Sequence, residues 1–228
     1  TYDKGIPDAT ANLRVDTVTN NRPGIELRKE DWDGNSLAGC TFTRLGINAL
    51  QMVQGVQNSS INGNIFFDIG GNAVNVAEPY YDSAAVTGNE MVKNITVSNN
   101  YIHDIGTEFG SSAAISIGFA NYITSSHNEI FNIPYSGYHI GYGWASRFPN
   151  QLKNTLIANN FVHDYMGDGI YDGGGIYVIG NTSGDGYNIA RYNYFRNQMN
   201  LSGALYADQG TTWFRFQENV VDLSETPI

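Results

Sequence analysis

Two aspartates stand out for their neighbours. Asp172 lies in HDYMGDGIYDGGGIYVIG (163–180), directly ahead of three glycines, and Asp208 lies in YADQG, at the end of a short apolar run. A carboxylate before consecutive glycines sits on a tight turn with little steric cover. Two carboxylates facing one cleft are what cleavage of a glycosidic bond requires: one acid protonates the leaving oxygen and the other carboxylate assists attack at the anomeric carbon. Asp before Gly is also an ordinary turn residue capping nearby amides, so residue type alone leaves both readings open. His139, Tyr142, Trp144, Tyr177 and Tyr206 are the candidate substrate contacts, with Tyr135, Tyr171 and Trp213 as further aromatics on the same side. Flat rings suit the C–H faces of sugars, while hydroxyls bond polar rims. His103 and His163 occupy equivalent places in IHD and VHD, and that repetition points to a structural role beside Asp104 and Asp164.

Other chemistries find less support. The chain has no HExxH, CxxC or EF-hand loop, no serine nucleophile elbow and no phosphate-binding loop. No cofactor is expected to be required and no metal ligand is assigned. Glu78, Asp82, Asp168, Asp172 and Asp185 would suit calcium if the fold brought them together. The formal net charge of −10 argues against nucleic acid as a partner and leaves a polysaccharide or oligosaccharide open. No apolar run approaches the roughly 20 residues of a membrane span, so no membrane partner is expected. The lone Cys40 excludes an internal disulfide and reads as a small buried hydrophobe. A chain of 228 residues that opens on Thr and lacks a signal-like segment reads as a processed chain or a piece of a larger one, secreted or otherwise extracytoplasmic.

The elements that must carry these residues repeat. LAGCTFTRLG (37–46), INGNIFFDIG (61–70), VSNNYIHDIG (97–106), SSHNEIFNIP (125–134), IANNFVHDYM (157–166), ARYNYFRNQM (190–199) and FQENVVDL (216–223) share one pattern. Their anchors are Cys40, Asn64, Asn100, Asn128, Asn160, Asn193 and Asn219, spaced 24 to 36 residues apart. Self-similarity at that period predicts a solenoid, and alternation of apolar and polar residues predicts strands. The fold class is thus all-β, a right-handed parallel β-helix of about seven coils over residues 1–228, with 1–35 as a cap or incomplete coil. An Asn at equivalent turns predicts a hydrogen-bonded ladder. A second strand follows each anchor. Its alternation puts Leu50, Val74, Ile115, Tyr138, Ile176 and Leu205 inside and Gln51, Asn75, Ser116, His139, Tyr177 and Tyr206 outside. The next outward column, Val53, Ala77, Gly118, Gly141, Ile179 and Asp208, is thin enough for something to lie against the sheet. An open solenoid end predicts further chain segments or a second chain completing the β-helix.

From about residue 95 the segments ITVSNNYIHDIG, ISIGFANYITSSHNEIFNIPYSGYHIGYGWA, VHDYMGDGIYDGGGIYVIG and GALYADQGTTWFRFQENVV resemble the parallel β-helix proteins of glycoside hydrolase family 141. That family includes α-L-fucosidases and xylanases acting on plant polysaccharides. Members show a pattern like DGGGIY followed one coil later by a strand ending LDEG. Here the first matches from Asp172 to Tyr177, while the second reads YADQG, with Gln209 where an acid often stands. The resemblance implies a glycoside hydrolase in which Asp172 and Asp208 form the catalytic pair, on a complex plant or microbial polysaccharide. Two other readings stay open: a lyase or epimerase on uronic-acid polymers, drawing on Arg147, Lys153, Arg191, Arg196 or Arg215, and a non-catalytic carbohydrate-binding β-helix.

Overall fold

Runs of β-branched and aromatic residues, each closed after a few positions by Gly or Asn, leave no length for a helix and favour short strands. The computed structural model describes residues 25–27, 34–53, 55–77, 88–142, 150–167, 169–182, 184–200 and 202–224. These form three parallel sheets of seven strands each. Sheet A holds β1 (Ile25–Leu27), β4 (Leu50–Met52), β7 (Val74–Val76), β10 (Ile115–Ile117), β13 (Tyr138–Gly141), β16 (Ile176–Ile179) and β19 (Leu205–Ala207). Sheet B holds β2 (Ser36–Ala38), β5 (Gln57–Asn62), β8 (Lys93–Ser98), β11 (Asn121–Ser126), β14 (Leu156–Ala158), β17 (Asn188–Arg191) and β20 (Phe214–Gln217). Sheet C holds β3 (Thr41–Leu45), β6 (Ile65–Ile69), β9 (Tyr101–His103), β12 (Glu129–Ile133), β15 (Phe161–Tyr165), β18 (Tyr194–Gln198) and β21 (Val220–Asp222). The chain visits B, C and A in turn on every coil, which is a parallel β-helix.

Each repeated phrase, read from sequence as one strand, is two strands meeting at the anchor. The reason is local. A residue with φ of 52° to 67° stands directly before every anchor: Gly39, Gly63, Asn99, His127, Asn159, Tyr192 and Glu218. His127, Tyr192 and Glu218 adopt this left-handed conformation at a cost of about 1–2 kcal/mol each, so the corner must be held by something stronger.

The Asn ladder holds it. The Oδ1 of each anchor from Asn64 to Asn219 accepts the backbone N–H of the preceding anchor at 3.0 Å. It also accepts an Nδ2 hydrogen of the preceding Asn at 2.9–3.0 Å. The second Nδ2 hydrogen goes to a sheet B carbonyl, from Leu37 O under Asn64 to Ala190 O under Asn219. Cys40 begins the column; it is half-buried rather than buried, and gives its backbone N–H to Asn64.

Alternation fills the interior as expected. Val74, Ile115, Tyr138 and Ile176 are fully buried, as are Met52, Val76, Ile117, Ile140 and Val178. Phe66, Ile102, Ile130, Val162 and Phe195 face them from sheet C, and Ile61, Val97, Ile157 and Ala190 from sheet B. The Tyr138 hydroxyl, at the centre of this core, lies 3.0 Å from Ser125 Oγ. Departures come at β19, the edge strand of its sheet: Leu205 is half-buried and Ala207 is exposed, because no further strand stacks on them among the described residues.

Replacing Asn128 by Ala removes one acceptor and two donors from a dry interior. We expect a loss of about 3 kcal/mol or more in urea denaturation, since each stranded polar group costs about 1–3 kcal/mol. Asn219→Ala, at the half-buried terminal rung, should cost less than half as much. Equal losses would show that the ladder is not a cooperative column.

Candidate active site

Asp172 and Asp208 come from opposite ends of sheet A. Asp172 lies in the connection from sheet C into β16, and Asp208 follows β19 directly, its backbone N–H donating to Val178 O at 2.8 Å. Strand register pairs Tyr177 with Tyr206 on their neighbouring coils. The two tyrosines bridge the offset between the acids. Tyr206 Oη donates to Asp172 Oδ1 at 2.8 Å, and Tyr177 Oη donates to Asp208 Oδ2. Each acid is thus gripped by the tyrosine of the other coil. Asp172 Oδ2 and Asp208 Oδ1 have no partner among the described residues.

The turn carrying Asp172 is shaped by Tyr135, one coil earlier. Its hydroxyl donates to the Asp172 carbonyl at 2.5 Å, and its ring lies so close under Gly173 that a Cβ there would stand 2.5 Å from Cε2. A Cβ on Gly174 would collide with the Gly203 carbonyl, and Gly174 N–H donates to Ser136 Oγ at 3.1 Å. The consecutive glycines are therefore required by close approach of neighbouring coils. The rings of Tyr177 and Tyr206 lie with centroids 5.3 Å apart, so the two carboxylates that their hydroxyls hold share one locality.

Electrostatics follow from that packing. The hydrogen bond to Asp172, more than burial, pushes the Tyr206 hydroxyl up to about 12. Burial, reinforced by the bond to Asp208, raises Tyr177 well above the usual phenol range. Both phenols remain proton donors throughout the neutral range. His139 stacks on Tyr177 with ring centroids 5.1 Å apart, and its Nδ1 is buried without a partner among the described residues. Burial lowers His139 to about 4, with Asp208 pulling weakly the other way. The imidazole is neutral at pH 7.

The outward columns differ from the sequence expectation. Gln51, Asn75, Ser116, His139 and Tyr177 do align, but all are 5% exposed or less. Val53, Ala77, Gly118, Gly141 and Ile179 are buried as well. At the sheet's margin a Cβ added to Gly141 would meet Leu152 Cδ2 at 3.6 Å, and one added to Gly180 would collide with the Tyr142 carbonyl of the neighbouring coil. Accessible surface on this side is found at half-buried Tyr206 and Asp208 and at exposed Asp172. Tyr142 is half-buried, Tyr171 is 73% exposed, and Trp213 packs against Tyr187 on the sheet B side. Trp144, Arg147, Glu78, Asp82 and Asp168 lie outside the described residues. Among the described residues, no group of three or more His, Cys, Asp and Glu could hold a metal ion, and Asp185 pairs with Lys153.

His103 and His163 bond Asp104 and Asp164 through Nδ1 at 2.7 and 2.6 Å. They also stack between Phe67, Phe131 and Phe161 on the outside of sheet C. Sequence reasoning missed Tyr135 as a support for the acid turn. The signal was available: it stands beside Ser136 and Gly137 one coil ahead of the glycine run.

Fold and carboxylate pair together define a class, a three-sheet parallel β-helix with a glycoside-hydrolase-like architecture. A solved structure named "Glycoside hydrolase" is similar to this chain with a TM-score of 0.69 and 25% sequence identity. The similarity covers 87% of this chain and 37% of that one, so the chain spans little more than a third of that protein's length. No protein-family model and no curated protein matches the sequence.

His139 gives the site a pH signature. Its folded pKa is depressed, so stability is complete above the unfolded value of 6.5 and is lost as pH falls toward about 4. Between pH 7 and 4.5 His139→Gln should therefore lose about 2–3 kcal/mol less unfolding free energy than the wild type. Parallel pH profiles for the two proteins would show that His139 is not a buried neutral base.

Proposed function

We propose that the chain forms the catalytic cleft of a glycoside hydrolase, with Asp172 and Asp208 as its two carboxylates. The observation that carries this reading is the crossed grip, in which tyrosines on adjacent coils orient both acids and leave one oxygen of each without a partner among the described residues. In such a site one carboxylic acid delivers its proton to the glycosidic oxygen as the C–O bond breaks. The other carboxylate attacks the anomeric carbon, or takes a proton from the water that does. Tyr206 and Tyr142 are the contacts a sugar would meet, whereas buried Tyr177 and His139 act on Asp208 from behind. The similarity to a structure named as a glycoside hydrolase supports the general class. The finer placement near family 141, on plant or microbial polysaccharide, rests on DGGGIY and YADQG. The proposal needs no cofactor and carries with it an extracytoplasmic location.

The lyase or epimerase reading requires a cation to neutralise the uronate carboxylate. Among the described residues, Arg191 and Arg215 lie on sheet B against Tyr192 and Tyr187, and Arg196 lies on sheet C. Lys153 is held by Asp185. None of these belongs to the acid pair's face.

Asp172→Asn and Asp208→Asn should each lower kcat/KM on aryl fucosides, aryl xylosides or xylan by on the order of 10³-fold, with Tm within about 2 °C of wild type. Wild-type turnover in either variant removes the assignment. Glycan binding with no product from the unaltered protein would favour the non-catalytic reading, and an unsaturated product absorbing in the ultraviolet would favour a lyase.

A further inference from the structure

A groove of about 410 Å³ opens at the corner between sheets C and A, spanning the two coils that carry the acid pair and the two before them. Its size falls within the roughly 300–1,000 Å³ of ligand sites. Asp104, Thr107, Asn132, Pro134, Gly167 and Met199 line it, over a floor of Ile105 and Ile133. These residues come from four successive coils, so the groove runs along the solenoid for roughly 14 Å at about 4.8 Å per coil. That length suits a short oligosaccharide rather than one ring.

The lining has the chemistry of a hydroxyl-rich, uncharged ligand. Among the described residues its single ionisable group, Asp104, is held by His103 and by the Asn132 amide, and none that lines the groove is basic. The Asn132 side-chain oxygen and the Thr107 hydroxyl have no partner among the described residues, while Pro134 and Met199 offer apolar surface for C–H faces. A uronate polymer would bring its carboxylates against Asp104 with nothing to offset the repulsion.

The groove also adjoins the segment that carries Asp172, since Gly167 belongs to the same connection from sheet C into β16. Buried Tyr135 follows groove residue Pro134 and ties that corner to the acid turn. Its backbone carbonyl accepts the Met166 N–H at 3.1 Å beside groove residues Pro134 and Gly167, and its hydroxyl donates to the Asp172 carbonyl. Tyr171, 73% exposed, stands between Gly167 and Asp172 in the chain and offers a ring to solvent next to Asp172.

We propose that this groove binds an extended segment of a neutral polysaccharide whose scissile bond lies at Asp172 and Asp208. The inference rests on the hydrolase reading for its register, but its test separates the two. The Asp208→Asn protein is run in affinity electrophoresis against xylan, xyloglucan and polygalacturonate, alone and combined with Thr107→Trp, Met199→Trp or Tyr171→Ala. Thr107 and Met199 are exposed, so both tryptophans are tolerated by the fold, which an unchanged Tm checks. At least one neutral polymer should retard the parent, each tryptophan should weaken that retardation at least tenfold, and Tyr171→Ala should weaken it severalfold. On the catalytically intact background, Thr107→Trp should lower kcat/KM on the polymer at least tenfold and leave aryl glycoside hydrolysis unchanged. Undiminished retardation in both tryptophan variants, or stronger retardation by polygalacturonate, overturns the groove. Groove-dependent retardation by a wild-type protein that hydrolyses nothing overturns the hydrolase reading and leaves the groove standing.

Discussion

One side-chain column sets the geometry of everything else. Each anchor from Asn64 to Asn193 uses its oxygen to bind the coil before it and its amide to bind both the coil after it and a sheet B carbonyl. A buried amide with every group satisfied tolerates no slip, since a shift of one residue would leave donors unpaired in a dry core. The column therefore fixes the register of sheets B and C, and through the coil length the register of sheet A. It also stabilises the left-handed residues His127, Tyr192 and Glu218, which lack the freedom of glycine at their corners.

Register is what makes the carboxylate site. Tyr177 and Tyr206 are paired partners in adjacent strands, and each hydroxyl reaches an acid that its own strand does not carry. Orientation is thus built from two coils at once. The buried His139 behind Tyr177 fills space with a neutral ring, which brings no positive charge toward Asp208. Tyr135 closes the arrangement from a third coil and explains the glycines: its ring takes the volume that a side chain at 173 would need.

Much of this architecture is legible in the residues. The anchors announce the ladder, and alternation in NALQMV, AAISIG and GGIYVI places the core correctly. Burial of the outward column was not legible, because side-chain alternation says which way Gln51 or His139 points and nothing about what returns to cover it. The split of each phrase into two strands was hidden for a related reason. A left-handed residue such as Tyr192 is invisible when the type does not advertise the conformation. For the acids, sequence supplied the candidates. Their convergence depends on tyrosine rings spanning coils, a distance no linear spacing encodes.

The corner between sheets B and C is two residues long in every coil, from Gly39 and Cys40 to Glu218 and Asn219. The other two corners vary freely: the passage from sheet C to sheet A takes four residues between Leu45 and Leu50 but ten between Tyr165 and Ile176. New loops can therefore be grafted at those corners, as the segment carrying Asp172 illustrates. A one-residue insertion beside an anchor would invert inside and outside for the strand it precedes. Diversification of such a scaffold is confined to two of its three edges.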